Sequence, residues 1–160
     1  MKKWLLILFL FSGVHVFSQN LFAELKNLDG DYVRLNDYQG EKLTVIDFWA
    51  TWCKPCIAAI PKLSKLSDEF EDDGVVFWGI NIDSPRNQAK VKPFVMSLDI
   101  TYPVFLDGDQ ELMSDLNVNV VPTLIVLDAK GKIKFFHEGF QVGDEEVIRE
   151  EIQKLLTKLK

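Results

Sequence analysis

The chain has 160 residues, 48 % of them apolar and 12 % aromatic, which suits one compact domain with a sizeable core. Lys and Arg number 18 against 24 Asp and Glu, a formal net charge of −6. With no basic stripe in the sequence, that balance argues against nucleic acid as a partner.

The first residues read as a targeting segment. Lys2 and Lys3 precede an apolar stretch over residues 4–11, followed by Ser12-Gly13 and then Val16-Phe17-Ser18-Gln19. A basic start, a short apolar core and small residues at positions 16 and 18 predict a signal peptide over residues 1–18, cleaved after Ser18. The apolar core is shorter than the roughly 20 residues a spanning helix needs, so cleavage is favoured over an uncleaved membrane anchor. No cysteine lies near the cleavage region, which excludes a lipoprotein anchor. A periplasmic or otherwise exported protein follows, with residues 19–160 as a single domain, because no repeat, low-complexity tract or Gly/Ser/Pro-rich linker divides them.

Tyr32-Val33-Arg34-Leu35 has the pattern of a short strand, and Asn36-Asp37-Tyr38-Gln39-Gly40 that of a turn. Leu43-Thr44-Val45-Ile46-Asp47-Phe48-Trp49 is β-branched and aromatic almost throughout, as a central strand covered on both faces should be. Ile57, Ile60, Leu63, Leu66 and Phe70 then recur at helical spacing, predicting a helix from near Cys53 that ends by Gly74, with Pro61 inside it as a kink. Val75-Val76-Phe77-Trp78-Gly79-Ile80-Asn81-Ile82 reads as a second buried strand. Residues 84–98 follow a helical pattern limited by Pro93, and Tyr102-Pro103-Val104-Phe105-Leu106 a short strand. Residues 107–115 read as a loop and a helical turn. Residues 123–127 and 133–136 form two further strands, joined by Asp128-Ala129-Lys130-Gly131 as a hairpin turn. In the last helix Val147, Ile148, Ile152, Leu155, Leu156 and Leu159 make one apolar stripe. Asp144, Glu145 and Glu146 lie in its first turn and Lys158 and Lys160 at its end, complementing the helix dipole. Strands alternating with helices, then a hairpin and a last helix, predict an α/β sandwich around a mixed sheet.

Trp52-Cys53-Lys54-Pro55-Cys56 holds the only two cysteines of the chain, where the first central strand runs into a helix. The loop that a Cys53–Cys56 disulfide closes is too short to constrain the unfolded chain much, so stability is a poor reason for it. A zinc site needs about four ligands, and the rest of the chain offers only His15 and His137. A redox-active dithiol is the reading that remains, and no cofactor is expected. In an oxidising compartment such a pair stays reduced only if a donor re-reduces it.

The wording Asp47-Phe48-Trp49-Ala50-Thr51-Trp52-Cys53-Lys54-Pro55-Cys56, with Val121-Pro122-Thr123 well downstream, resembles the thioredoxin superfamily. The leader, the Thr-Trp-Cys-x-Pro-Cys motif and the length of residues 83–122 look like its TlpA/ResA-like branch of exported thiol–disulfide oxidoreductases. That resemblance spans the chain from about Phe22 onward. It implies a thioredoxin-like fold with an extra helix and strand inserted between the Asn-Ile-Asp strand and a cis-proline at Pro122. Two departures from the pattern stand out. Ala59 occupies the place where many members of the branch carry a glutamate. Conversely, Asp47 matches the buried aspartate of plain thioredoxins, while the lysine that accompanies it there aligns with Gly79.

Cys53 is then the expected nucleophile. Only a thiolate attacks, and a free cysteine with a pKa of about 8.5 is largely protonated at neutral pH. A helix N-terminus favours the thiolate through its unpaired N–H groups and dipole. Lys54 is a weak addition if solvated. Pro55 suits the first helical turn, where a missing N–H costs little. Cys56 is expected to resolve the mixed disulfide, and Asp47, which interrupts an apolar strand, to accept its proton; the bland alternative is a strand-end aspartate bonded to backbone donors. The resemblance implies that Trp52, Pro55, Val121 and Pro122 contact substrate, with Val121 offering its backbone to an extended chain. Gly139 is either a close-approach position or a turn glycine. Protein thiols or disulfides are the implied substrates, a membrane electron donor the implied partner, and a monomer the expected state.

Reduction of protein disulfides, as in cytochrome c maturation, is the leading expectation. A disulfide-forming oxidase differs from it only in reduction potential, and a peroxidase fits the Cys-x-x-Cys pair less well. A copper-binding assembly factor is the reading from another class. Relatives of that kind typically use Cys-x-x-x-Cys plus a distant histidine, whereas here the spacing is one residue shorter and His137 falls on a predicted late strand.

Overall fold

Leu43–Trp49 (β3) is buried at every position, and the sheet is built outward from it. The computed structural model describes residues 23–159. The expected signal peptide and Lys160 lie outside the described residues. In chain order the elements are β1 (Glu24–Asn27), β2 (Tyr32–Arg34), β3, α1 (Lys54–Phe70), β4 (Val75–Asn81) and α2 (Val91–Ser97). They continue with β5 (Val104–Leu106), α3 (Glu111–Asp115), β6 (Thr123–Asp128), β7 (Ile133–Glu138) and α4 (Asp144–Thr157). The strands form one sheet in the order β2-β1-β5-β4-β3-β6-β7. β4 runs parallel to both β3 and β5, and the remaining pairs are antiparallel.

The pleat of β3 sends alternate side chains to two cores. On one face Leu43 and Val45, with Phe77, Leu124 and Val126, pack against Ala59, Leu63, Leu66 and Phe70 of α1 and Ile148, Ile152 and Leu155 of α4. On the other, Ile46 and Phe48, with Trp78, Ile80, Ile125 and Leu127, pack against Val91 and Val95 of α2 and Leu112 and Met113 of α3. Each fully buried Ile or Leu contributes about 2 kcal/mol of transfer free energy, so α4 is held chiefly by Ile148, Ile152 and Leu155.

The predicted α/β architecture, the central strands, the hairpin and the inserted α2–β5 segment are all present. Several predicted elements differ in detail. β1 was not expected: its burial pattern has a single buried residue, Leu25, and leaves no alternation to read. The strand expected from Tyr32 stops at Arg34, since Leu35 turns inward and opens a 3₁₀ turn over Leu35–Tyr38. Residues 84–87 are a turn; a 3₁₀ turn over Gln88–Lys90 leads into the two-turn α2, with Pro93 in its first turn, where its missing N–H is least costly. β5 begins at Val104, not at Tyr102. The α4 stripe is narrower than read, because Val147 and Leu159 are 48 % and 53 % exposed. α1 continues through Pro61 to Phe70, and a 3₁₀ turn with Gly74 at φ +79° ends the segment.

Candidate active site

β3 ends at Trp49, and the next four residues are tied down from below. The Ala50 carbonyl accepts the Cys53 N–H at 3.1 Å. The Thr51 N–H and hydroxyl both donate to Asp83, at 2.8 Å each. Asp83 is itself gripped by Asn81, whose amide donates to Oδ2 at 2.8 Å and whose Oδ1 accepts the Asp83 N–H at 3.1 Å. Asn81 ends β4 and Asp83 lies just beyond it, so the loop carrying the cysteines is anchored to the neighbouring strand.

Cys53 is the N-cap of α1, with Pro55 in the first turn, and its sulfur accepts the Cys56 N–H at 3.3 Å. Cys53 and Cys56 are joined in a disulfide with 5.3 Å between their Cα atoms. No acidic side chain occupies the first turn of α1, so nothing there offsets the positive end of the helix. Cys53 keeps 4 % of its surface open against 1 % for Cys56. Around them Trp52 is 63 % exposed, and Lys54 and Pro55 are also exposed.

The antiparallel register of β3 and β6 pairs Phe48 with Thr123, which brings residues 120–122 to the same end of the sheet as the cysteine loop. The Val121–Pro122 peptide is cis. The Thr123 hydroxyl donates to the Val120 carbonyl at 2.8 Å, and the Gly139 N–H donates to the Pro122 carbonyl at 2.8 Å. Val121 is half-buried against the core and Val120 is 49 % exposed, so two apolar side chains, Trp52 and Val120, project at this end. Gly139, at φ +80°, has open space where a Cβ would stand, and its conformation accounts for the glycine.

Asp47 lies two residues before the end of β3, on the face shared with Val45, and is 1 % exposed. Burial pushes its carboxyl up to about 7, against the opposing pull of a hydrogen bond that the Tyr102 hydroxyl donates to Oδ2 at 3.2 Å. Burial, followed by the Asp47 charge, pushes the Tyr102 phenol well above its ordinary value. The parallel register sets Gly79 directly beside Asp47. Ala59, one turn after Cys56, is buried in the same core half as Val45 and Leu63. His137 is on β7, opposite Leu124 of β6, and its Nε2 pairs with Asp144 Oδ2 at 3.0 Å.

Cys53, Cys56, Trp52, Pro55, Val121 and Pro122 therefore lie at one end of the sheet, and Asp47 is buried in β3 two residues before that end. The sequence assigns no role there to Tyr102, Asn81 or Asp83, nor to Thr51 beyond its place in the cysteine motif. For Asp83 a signal existed: Asn81-Ile82-Asp83 puts two polar residues at the buried end of an apolar run. For Tyr102 there was none.

The AhpC/TSA family profile matches residues 21–136. The chain is 36 % identical over 122 residues to the thioredoxin-like protein YneN of Bacillus subtilis, covering 76 % of this chain and 70 % of that one. It is 29 % identical over 136 residues to the thiol-disulfide oxidoreductase ResA of Geobacillus kaustophilus, covering 85 % and 73 %. The crystal structure of StoA from Bacillus subtilis superposes with a TM-score of 0.66 at 27 % identity, covering 81 % of this chain and 95 % of StoA. With its Cys53–Cys56 pair at a helix start beside a cis-proline loop, this chain is a thioredoxin-like member of the AhpC/TSA family.

Proposed function

We propose that this protein is an exported thiol–disulfide oxidoreductase that reduces protein disulfides through a Cys53/Cys56 dithiol–disulfide cycle. The observation that carries the reading is the Cys53–Cys56 disulfide capping α1, with the less buried sulfur at the cap. In the reduced protein the Cys53 thiolate attacks one sulfur of a substrate disulfide. The substrate's other sulfur leaves as a thiolate and takes a proton. Cys56 then gives its proton to the Asp47 carboxylate and attacks the Cys53 sulfur, releasing the second substrate thiol. Two electrons pass from the dithiol to the substrate, and the protein is left as the disulfide. Trp52, Pro55, Val121 and Pro122 form the surface that receives an extended substrate segment around Cys53.

Export rests on the leader over residues 1–18 and the single domain after it. In such a compartment the cycle needs a membrane electron donor to restore the dithiol. A c-type apocytochrome, whose cysteines must be reduced before haem attachment, is a fitting substrate. The protein works as a monomer. The test is the reduction potential of Cys53–Cys56, equilibrated against glutathione or dithiothreitol. A value near thioredoxin's, about −270 mV, supports the reductase; a value near about −120 mV reverses the direction and makes the protein a disulfide donor.

A further inference from the structure

Among the described residues Asp47 has one side-chain hydrogen-bond partner, Tyr102, which lies 55 residues away in the loop before β5. We infer that Tyr102 is a positioning residue for the proton transfer at Asp47: its hydroxyl fixes the carboxyl group through Oδ2 and leaves Oδ1 to take the Cys56 proton. The inference rests on the reading of Asp47 as the proton acceptor.

Three observations carry it. The first is steric. A Cβ built on Gly79 would stand 3.1 Å from Tyr102 Cε2, 3.1 Å from Val104 Cγ2 and 3.2 Å from Trp49 Nε1. The tyrosine ring thus fills the space beside Asp47 that a longer side chain at position 79 would enter, and no cation reaches the carboxyl group from β4. The second is rigidity. The Gly79 N–H donates to the Pro103 carbonyl at 2.8 Å, and the Thr101 hydroxyl donates to the Ser64 carbonyl of α1 at 3.4 Å. Both neighbours of Tyr102 are therefore bonded to the elements that flank Asp47, and the Tyr102 ring packs against Phe77 with centroids 6.1 Å apart. The third is chemical. Tyr102 is pushed above its ordinary range, so its hydroxyl stays protonated and stays a donor wherever Asp47 titrates. A neutral donor stabilises a carboxylate less than a cation does, which leaves Asp47 poised near neutrality.

On the face that Asp47 shares with α1 and α4, β7 brings His137 opposite Leu124, paired with Asp144 of α4, and Lys62 of α1 pairs with Glu145 of α4. β4 offers Phe77 and Gly79, β6 offers Leu124 opposite Asp47, and β5 offers Val104, none of which titrates. α1 contributes Asp68; with Glu71 beyond the helix, Asp68 lines a surface groove walled by Tyr102. The Tyr102 loop itself carries Asp99. Burial and then the Asp47 charge push the phenol up, while burial raises the Asp47 carboxyl against the Tyr102 hydrogen bond.

The experiment is Tyr102→Phe in the whole protein, with two readouts. One is the titration of the Asp47 carboxyl carbon by NMR in the oxidised protein. The other is the pH profile of the resolving phase when the reduced protein meets a peptide disulfide. Losing a hydrogen bond to a charged group should raise the Asp47 pKa by about one unit or more. Resolution then slows about tenfold below neutrality and converges with the parent at high pH, while the first attack by Cys53 keeps its rate. Tyr102→Phe added to Asp47→Asn should change nothing further. Overlaid titrations, or an equal slowing on the Asp47→Asn background, would overturn the inference. If Tyr102→Phe fails to fold, 3-fluorotyrosine placed at position 102 keeps the ring and strengthens the donor. It must lower the Asp47 pKa, and no change defeats the inference. Should Asp47→Asn leave resolution unaltered, the acceptor reading fails by itself, and the NMR titration still reports whether Tyr102 holds the carboxyl.

Discussion

Thr51 gives both its backbone N–H and its hydroxyl to the Asp83 carboxylate, each at 2.8 Å. One residue just beyond β4 thus holds the loop that delivers Cys53, although the two are 32 residues apart in sequence. Asp83 is buried, and its remaining bonds go to Asn81, so the carboxylate is satisfied by neutral donors alone.

Replacing Asp83 by Ala strands the Thr51 donors and the Asn81 amide together. Hydrogen bonds to a charged group contribute about 1.5–3 kcal/mol each and are not additive, so a loss of roughly 3 kcal/mol in urea unfolding is expected. Thr51→Val removes only the hydroxyl contact and should cost about half as much. A double-mutant cycle checks the pairing: Thr51→Val on the Asp83→Ala background should cost close to nothing.

The buried carboxyl of Asp47 makes stability depend on pH. Its folded value of about 7 lies above the unfolded 3.8, so between those values the native state holds the proton more tightly than the unfolded one. Stability from this group is complete below about pH 4 and is lost as the pH rises through 7. Asp47→Asn removes that slope. The stability of the variant relative to the parent should therefore grow by roughly 4 kcal/mol between pH 4 and pH 8. Denaturant melts of the oxidised proteins at both values test this, and parallel curves would contradict it.

The two cysteines should separate by function. Cys56→Ser leaves the attacking thiol with no resolving partner, so a covalent adduct with a disulfide substrate accumulates and is seen by intact-protein mass spectrometry. Cys53→Ser forms no such adduct, because the remaining sulfur is the more buried one. Both variants lose turnover by at least about a hundredfold relative to the parent.

Gly79 is fixed by crowding, not by a backbone conformation reserved for glycine. Gly79→Ala brings a methyl carbon within 3.1–3.2 Å of Tyr102, Val104 and Trp49, which are all held in the core. Overpacking of this kind costs about 1–3 kcal/mol, measurable as a lowered urea midpoint. Val104→Ala added to it should recover part of the loss by making room.

Much of this protein could be read from local pattern. β3, α1, the β6–β7 hairpin and α4 each announce themselves within a single window of apolar spacing, because burying one face or both imposes the period of the element itself. Cys53 and Cys56 belong to the same class, since three residues of separation at a helix start bring two sulfurs together whatever the rest of the chain does. Even the isolated charge of Asp47 in an apolar strand was visible. Its partner was not: Tyr102 reaches Asp47 only because β5 enters the sheet beside β4 and leaves the preceding loop over Gly79. The grip of Asp83 on Thr51 depends likewise on the parallel alignment of β3 with β4. Periodicity reports which face of a segment is buried. The choice of one polar partner for one buried carboxylate is made by strand order and register, and these exist only once the whole sheet has assembled.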